Sequence, residues 1–103
     1  MKERYTIELD YQNALNRAAE LEGLASQLRS IANDEFAQAL ENVKNAWQGD
    51  NAQKYVQKAR QMKPKMIKAS DDLKEVASTI RTVAKNTYDA EMKAYEIANE
   101  RSY

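Results

Sequence analysis

The sequence predicts an all-α protein, an antiparallel hairpin of two long helices. The 103 residues include two glycines and one proline, so few positions interrupt a helix. Apolar residues recur at helical spacing over two long segments. A short connection around Gly49 separates these segments, and a connection of this length places consecutive helices side by side and antiparallel.

A short arm is expected to precede the first helix. Residues 4–9 alternate between apolar and polar side chains, which is typical of an extended segment. Asp10 is a suitable N-cap, because its carboxylate can accept hydrogen bonds from the free amides of a first helical turn. We therefore predict helix one over about residues 11–46. It continues through Gly23, since the apolar periodicity is the same on both sides of that glycine.

Helix one has a wide apolar face. At 100° per residue, a strip runs along its middle: Ala14, Leu21, Ala25, Leu28, Ala32, Ala39, Val43 and Ala46. Larger residues flank the strip, with Leu24 and Ile31 on one edge and Leu15, Phe36, Leu40 and Trp47 on the other. The apolar sector spans roughly 200°, whereas one neighbouring helix needs about 100°. We therefore expect a second copy of the chain to cover the rest of this face.

Helix two is predicted over about residues 51–98. Its seam keeps an alternating 3,4 spacing: Ala52, Tyr55, Ala59, Met62, Met66, Ala69, Leu73, Val76, Ile80, Val83, Thr87, Ala90, Ala94 and Ile97. Such a repeat favours a left-handed supercoil against a partner helix. Pro64 lies inside the seam and predicts a kink, because the phase continues on both sides of it. The expected core of the hairpin and dimer comprises Leu21, Leu24, Leu28, Ile31, Leu73, Val76, Ile80 and Val83.

The turn between the helices is predicted over residues 47–50. Gly49 is suited to the left-handed conformation that ends helix one. Asp50 is suited to the N-cap of helix two, with Gln53 three residues later completing a capping box.

The predicted helix lengths leave part of helix two without a neighbour. Helix one of about 36 residues measures ~54 Å at 1.5 Å per residue. The same distance counted from Asp50 ends near residue 86. Residues from Thr87 to the end of the tail at Tyr103 are then expected to overhang, with Tyr88 and Tyr95 available for recognition.

Catalysis is not expected. The chain has no histidine and no cysteine, the residue types used by most zinc sites, thiol redox centres and Ser-His or Cys-His nucleophiles. We therefore predict no enzyme activity, no catalytic residues, no cofactor and no metal. Sixteen basic and sixteen acidic side chains give no net charge, so no overall field attracts nucleic acid or membrane.

Helix two carries a basic stripe of Lys54, Lys58, Lys65 and Lys68. Single-stranded nucleic acid would require aromatic residues interleaved with such a stripe, and Tyr55 belongs to the seam. We interpret the stripe as solvated and paired with acids of helix one: Asp34, Glu35 and Glu41.

No targeting segment is expected. Residues 1–5 lack the apolar run of a secretory signal, and no stretch reaches the ~20 apolar residues of a membrane-spanning helix. If the protein leaves the cell, we expect it to do so without a cleaved signal peptide.

Two helices of this length joined by Trp47-Gln48-Gly49 resemble the WXG family of small secreted helical-hairpin proteins. The resemblance implies type VII secretion and a four-helix bundle, formed by a homodimer or by a dimer with a paralogous chain. It implies export from the bacterial cytoplasm by a membrane ATPase of the FtsK/SpoIIIE type. It also implies an export motif, Tyr-x-x-x-Asp/Glu, after helix two. Here the sequence differs from the family, because Tyr88 is followed by Met92 and Tyr95 by Asn99.

Tyr95 with Asn99 and the adjacent Glu100 is the nearest match to that motif. Either the motif is relaxed, or a partner chain supplies the signal, or the chain is an adaptor for a larger toxin. We predict a type VII secretion substrate or adaptor that acts by protein–protein interaction as a dimer. The alternative is a structural coiled-coil subunit of an intracellular assembly. Neither hypothesis involves nucleic acid or stable membrane insertion.

Overall fold

The computed structural model describes residues 2–47 and 49–100 and confirms the all-α hairpin. The first helical run consists of α1 (Arg4–Ser30), a π-helical segment (Ile31–Glu35) and α2 (Phe36–Ala46). The second run consists of α3 (Asp50–Arg60) and α4 (Met62–Glu100). The described residues contain no strand. No helix among them is long and apolar enough to cross a membrane.

The start of the first helix differs from the prediction. The helix begins at Arg4, so the extended arm, the N-cap at Asp10 and the start near residue 11 were wrong. The amide of Ile7 donates to the carbonyl of Glu3 at 3.0 Å, and the Ile7 side chain is buried. Six residues of apparent alternation are a weak signal, and burial of Ile7 on a helical face outweighs it.

The chain forms two compact units. One consists of the two ends of the chain, up to Leu21 and from Glu75 onward. Its most buried residues are Ile7, Ala18 and Ala77. Both alanines are fully buried, so the helices of this unit meet through small side chains.

The second unit spans Glu22–Lys74 and contains the turn. Ala25, Ala32 and Ser70 are fully buried in it. The hydroxyl of Ser70 donates to the backbone carbonyl of Ala25 at 2.7 Å, so a side chain of one helix reaches the backbone of the other. The guanidinium of Arg29 donates to Asp71 at 2.8 Å at the edge of the same contact.

Only five of the fourteen predicted seam positions of helix two are buried or half-buried against the first helix. These five are Ala52, Ala59, Met66, Leu73 and Ile80. The others are exposed, and the opposite edge of the contact is formed by Ser70, Ala77 and Ala84. Small side chains at this edge allow close approach of the backbones. Several bulky seam residues remain exposed on the flank, namely Tyr55, Met62, Val76 and Val83.

The π-helical segment changes which residues of the first helical run lie on its inner face. Ala39 and Ala46 were expected in the middle strip, but both are exposed. The amide of Phe36 donates to the carbonyl of Ile31, a five-residue step, which changes the helical phase. Half-buried positions beyond this segment are therefore Phe36, Ala37, Leu40 and Val43.

Pro64 lies in the first turn of α4, three residues after Gln61, the one residue that separates α3 from α4. Proline has no amide to donate to the Arg60 carbonyl four residues earlier. Gln61 keeps right-handed helical torsion angles, φ −68° and ψ −18°, and its amide still donates to Gln57 at 3.3 Å. The interruption is therefore confined to one residue.

Candidate partner-binding surfaces

The connection that carries Trp47 and Gly49 closes the hairpin. Trp47 ends the first helical run in an extended conformation, and its amide donates to the carbonyl of Val43 at 2.9 Å. The indole is 49 % exposed, and its ring centroid lies 5.8 Å from that of Tyr55. Trp47 therefore covers one end of the hairpin and also presents aromatic surface to solvent. Gln48, also part of the predicted turn, lies outside the described residues.

Gly49 has a positive φ of +117°, but its ψ of 171° is extended, so it does not adopt the left-handed helical conformation predicted for the end of helix one. It lies instead at the start of the second run. It is the N-cap of α3, and the amide of Gln53 donates to its carbonyl at 3.1 Å. Asp50 is thus the first helical residue and not the cap. A Cβ at Gly49 would meet no atom within 4 Å, so backbone conformation and not space favours glycine here.

An open groove of about 530 Å³ begins at this turn. Its lining includes Trp47 and the buried residues Ala52 and Val56. Its polar lining includes Lys44 and Arg60.

A second groove, of about 400 Å³, lies further along the same pair of helices. The first helical run contributes Phe36, Ala37, Leu40 and Glu41, and the second contributes Arg60, Lys63 and Pro64. Because Arg60 lines both grooves, we treat them as one surface and call it the basic groove. Its cations are Lys44, Arg60 and Lys63, and Glu41 is its acidic residue.

The basic stripe does not pair with the first helix as expected. Lys68 pairs with Asp72 on its own helix at 3.1 Å. Among the described residues, no ion pair joins Lys54, Lys58 or Lys65 to an acid. These three lysines are exposed to solvent.

Large aliphatic residues remain exposed on the flanks of the helices. Leu24 is 53 % exposed, and Ile31, seven residues later, is also exposed. Val76 and Val83, again seven apart, are 50 % and 56 % exposed. The other half of the predicted core, Leu21, Leu28, Leu73 and Ile80, is half-buried within the hairpin.

Residues from Thr87 onward were expected to lack a neighbouring helix, and for Tyr88 this prediction was wrong. Its ring stacks on that of Tyr11, with centroids 4.6 Å apart and an interplanar angle of 28°. The ammonium of Lys2 contacts Glu91 at 3.2 Å. Because the first helix starts at Arg4, its first turns extend alongside this part of α4.

The ammonium of Lys2 also contacts Asp10, at 3.0 Å. The pKa of Lys2 lies above its ordinary value, chiefly because the ammonium donates to Asp10 and then to Glu91. Beside this bridge a groove of about 390 Å³ is lined mainly by apolar residues, among them Ile7, Ile80 and Val83.

The remaining residues of the expected recognition tail continue α4. The helix extends through Glu100, so Tyr95 and Asn99, four residues apart, lie on one helical face. Tyr95 is half-buried, whereas Asn99 and Glu100 are exposed. Tyr103 lies outside the described residues.

Sequence reasoning missed two features of these surfaces. It assigned Phe36, Leu40 and Trp47 to an apolar flank, but not to a groove with Arg60 and Lys63. The signal was present, because residues 42–70 contain seven cations and one acid, Asp50. It also missed the stack of Tyr11 on Tyr88, although both residues belong to the six tyrosines of the sequence.

Comparison with known proteins returned a family match. The model of the WXG100 family, described as proteins of 100 residues with WXG, matches residues 6–92. The match covers the turn with Trp47 and Gly49 and ends before Tyr95. No curated protein and no solved structure matched the chain.

Proposed function

Because the chain belongs to the WXG100 family of small proteins associated with type VII secretion, we propose that it is a substrate or an adaptor of such a system and acts as a dimer. The proposal includes export without a cleaved signal peptide, through a membrane ATPase of the FtsK/SpoIIIE type. It also includes the option that the chain accompanies a larger toxin.

The exposed aliphatic flanks carry the dimer proposal. Leu24 and Ile31 on the first helix, and Val76 and Val83 on the second, each repeat at seven residues. Soluble monomers rarely leave large continuous apolar patches exposed. Seven-residue spacing is also the repeat by which helices bury a seam against another helix. A second copy, or a paralogous chain, with a similar seam would cover these flanks and form a four-helix bundle.

Val83→Asp tests this dimer with little effect on the hairpin. The Val83 side chain is mainly exposed in one chain, so an aspartate there remains solvated in a monomer. In a packed dimer the same carboxylate would be buried without a partner, at a cost of several kcal/mol. Ser78→Asp is the matched control, because Ser78 is exposed and lies about 140° away around the helix.

Light scattering after size exclusion measures the result. We expect the wild-type chain and Ser78→Asp to be dimers at micromolar concentration, and Val83→Asp to be a monomer that retains its helical circular dichroism. A stable wild-type monomer under these conditions contradicts the homodimer. Coexpression with a neighbouring paralogous chain then tests the heterodimer.

The segment that we propose for export recognition is shorter than the predicted tail and lies at the end of α4. Tyr88 and Glu91 contact the first helix, which leaves Tyr95, Asn99 and Glu100 as the residues proposed for recognition. A half-buried aromatic beside an acid is a suitable anchor for a receptor pocket with basic rims.

Secretion into the medium by a host that carries the system tests this segment. We expect truncation after Met92, and Tyr95→Ala alone, to reduce secretion strongly while the intracellular level and helicity are kept. Tyr5→Ala is the control, because Tyr5 is exposed on the first helix. Normal secretion of the truncated chain would exclude the end of α4 as the signal. Retention of the wild type in cells that secrete other substrates would favour a structural role.

A further inference from the structure

We propose that the basic groove binds an acidic, amphipathic helical segment of another protein. The groove has an apolar floor and a cationic rim, and both lie within the unit Glu22–Lys74. This proposal depends neither on export nor on dimer formation.

The floor provides apolar contacts for anchoring side chains. Val56 and Ala52 form its buried base near the turn, and Trp47 offers an aromatic surface that is half exposed. Phe36, Leu40 and Pro64 continue the floor towards the middle of the unit. Partly exposed aromatic and aliphatic side chains in a concave surface are typical of grooves that accept the apolar face of a helix.

The cationic side chains at the rim of the groove indicate the charge of the segment that it binds. Lys44, Arg60 and Lys63 line the groove, and none of them has an ion-pair partner among the described residues. Glu41 is the acidic residue of the lining. Unpaired cations around an apolar floor favour an acidic partner and disfavour a basic one.

The shape of the groove favours an acidic helix over two other anionic partners, a membrane surface and a single-stranded nucleic acid. A membrane surface would require apolar residues on a convex face, whereas these residues line a concave one. Single-stranded nucleic acid would require a series of stacking aromatics, and the aromatics of the lining are Trp47 and Phe36. From Ala52 to Pro64 the lining extends for about 18 Å, the length of a helix of about 12 residues.

The groove is separate from the flank proposed for the dimer. Arg60 and Met62 lie about 160° apart around the second helical run at 100° per residue. Met62 belongs to the exposed seam, whereas Arg60 lines the groove. A dimer formed through the seam therefore leaves the basic groove available.

A synthetic peptide of 12 residues serves as the probe, with leucines on one helical face and glutamates on the other. Trp47 is the only tryptophan of the chain and lines the groove, so its fluorescence reports binding directly. Anisotropy of the labelled peptide provides affinities that do not depend on Trp47. The charge-swapped peptide, with lysine in place of glutamate, is the first control.

Charge reversal then locates the site. We expect Arg60→Glu with Lys63→Glu to weaken binding of the acidic peptide at least about tenfold, and to create binding of the charge-swapped peptide. Lys54→Glu with Lys58→Glu is the matched control, because it reverses the same charge on the opposite side of the second helical run. We expect that control to change the affinity less than about threefold at physiological salt, where charges beyond ~8 Å are largely screened.

Three results would overturn the proposal. One is an equal loss in both double variants, which indicates diffuse attraction without a groove. Another is equal binding of the acidic and the charge-swapped peptide to the wild type. The third is failure of the peptide to bind while phosphatidylglycerol vesicles or a 12-nucleotide single strand bind in a manner that depends on Arg60 and Lys63. Circular dichroism of every variant confirms that the helices are retained.

Discussion

A double-mutant cycle on Tyr11 and Tyr88 decides whether the second half of α4 packs within the chain. The helix lengths expected from sequence leave Tyr88 without a neighbour, and Tyr88→Ala would then cost nothing or gain slightly from helix propensity. In the structure the two rings stack with centroids 4.6 Å apart. Removing either ring therefore loses apolar burial and the ring–ring contact together.

The expected magnitude follows from the geometry and burial of the pair. Stacked aromatic pairs contribute about 0.5–1.5 kcal/mol beyond their buried area. Both rings are half-buried, so the coupling should lie in the lower half of that range, about 0.5–1 kcal/mol. Each single alanine variant should lose ~1–2 kcal/mol, because part of each side chain returns to water. For a chain of this size ~1 kcal/mol lowers the melting temperature by about 4–8 °C.

Urea and thermal unfolding followed by circular dichroism measure the cycle at one fixed protein concentration, because dimer formation makes stability depend on concentration. Tyr11 with Tyr95 is the control pair, since no ring contact joins them. That pair should be additive within ~0.3–0.5 kcal/mol. A coupling between Tyr11 and Tyr88 within the same limit would refute the packing and restore the overhang.

Three further changes have defined outcomes. Gly23→Ala should raise the free energy of unfolding by about 0.5–1 kcal/mol in urea titration, because a Cβ there meets no atom within 4 Å and alanine favours a helix interior; a loss would mean that the glycine is needed for close contact with a partner. Pro64→Ala should leave the melting temperature unchanged or higher, because it supplies an amide to the Arg60 carbonyl; a clear decrease would show that packing requires the proline. The Lys2 ammonium should titrate above its ordinary value in NMR, and Asp10→Asn should lower its pKa. A raised folded-state pKa means that this contribution to stability is present below pH 10.5 and is lost as pH rises through the folded-state value. An ordinary pKa for Lys2 would contradict the bridge.

The helices and their connection were predictable because local signals specify them. Few glycines, one proline and long periodic segments predict two helical runs, and the observed runs end at Ala46 and begin again at Asp50. Gly49 was expected in the left-handed conformation, and the structure confirms a positive φ there but not the left-handed ψ. A turn that needs this backbone angle selects glycine through its own sterics, without help from distant residues.

The start of the first helix was not predictable from local signals. Ile7 is buried on the inner face of its unit, and Tyr11 stacks on Tyr88. The stack joins residues far apart in sequence, and Ile7 lines a groove together with Ile80 of α4. The free energy that extends the helix back to Arg4 therefore comes from tertiary packing, and short helical turns depend on such packing.

The sequence by itself determined that this protein has two long helices, a wide apolar surface and no histidine or cysteine chemistry. Only the tertiary structure decided which apolar residues meet inside the hairpin. Ser70 and Ala25 lie close enough for a 2.7 Å hydrogen bond from hydroxyl to carbonyl. Small residues at the contact allow close backbone approach, and bulky residues such as Val83 remain on the flanks. A periodic pattern identifies an apolar face, but packing of side-chain volumes determines which edge of that face is buried and which remains for a partner.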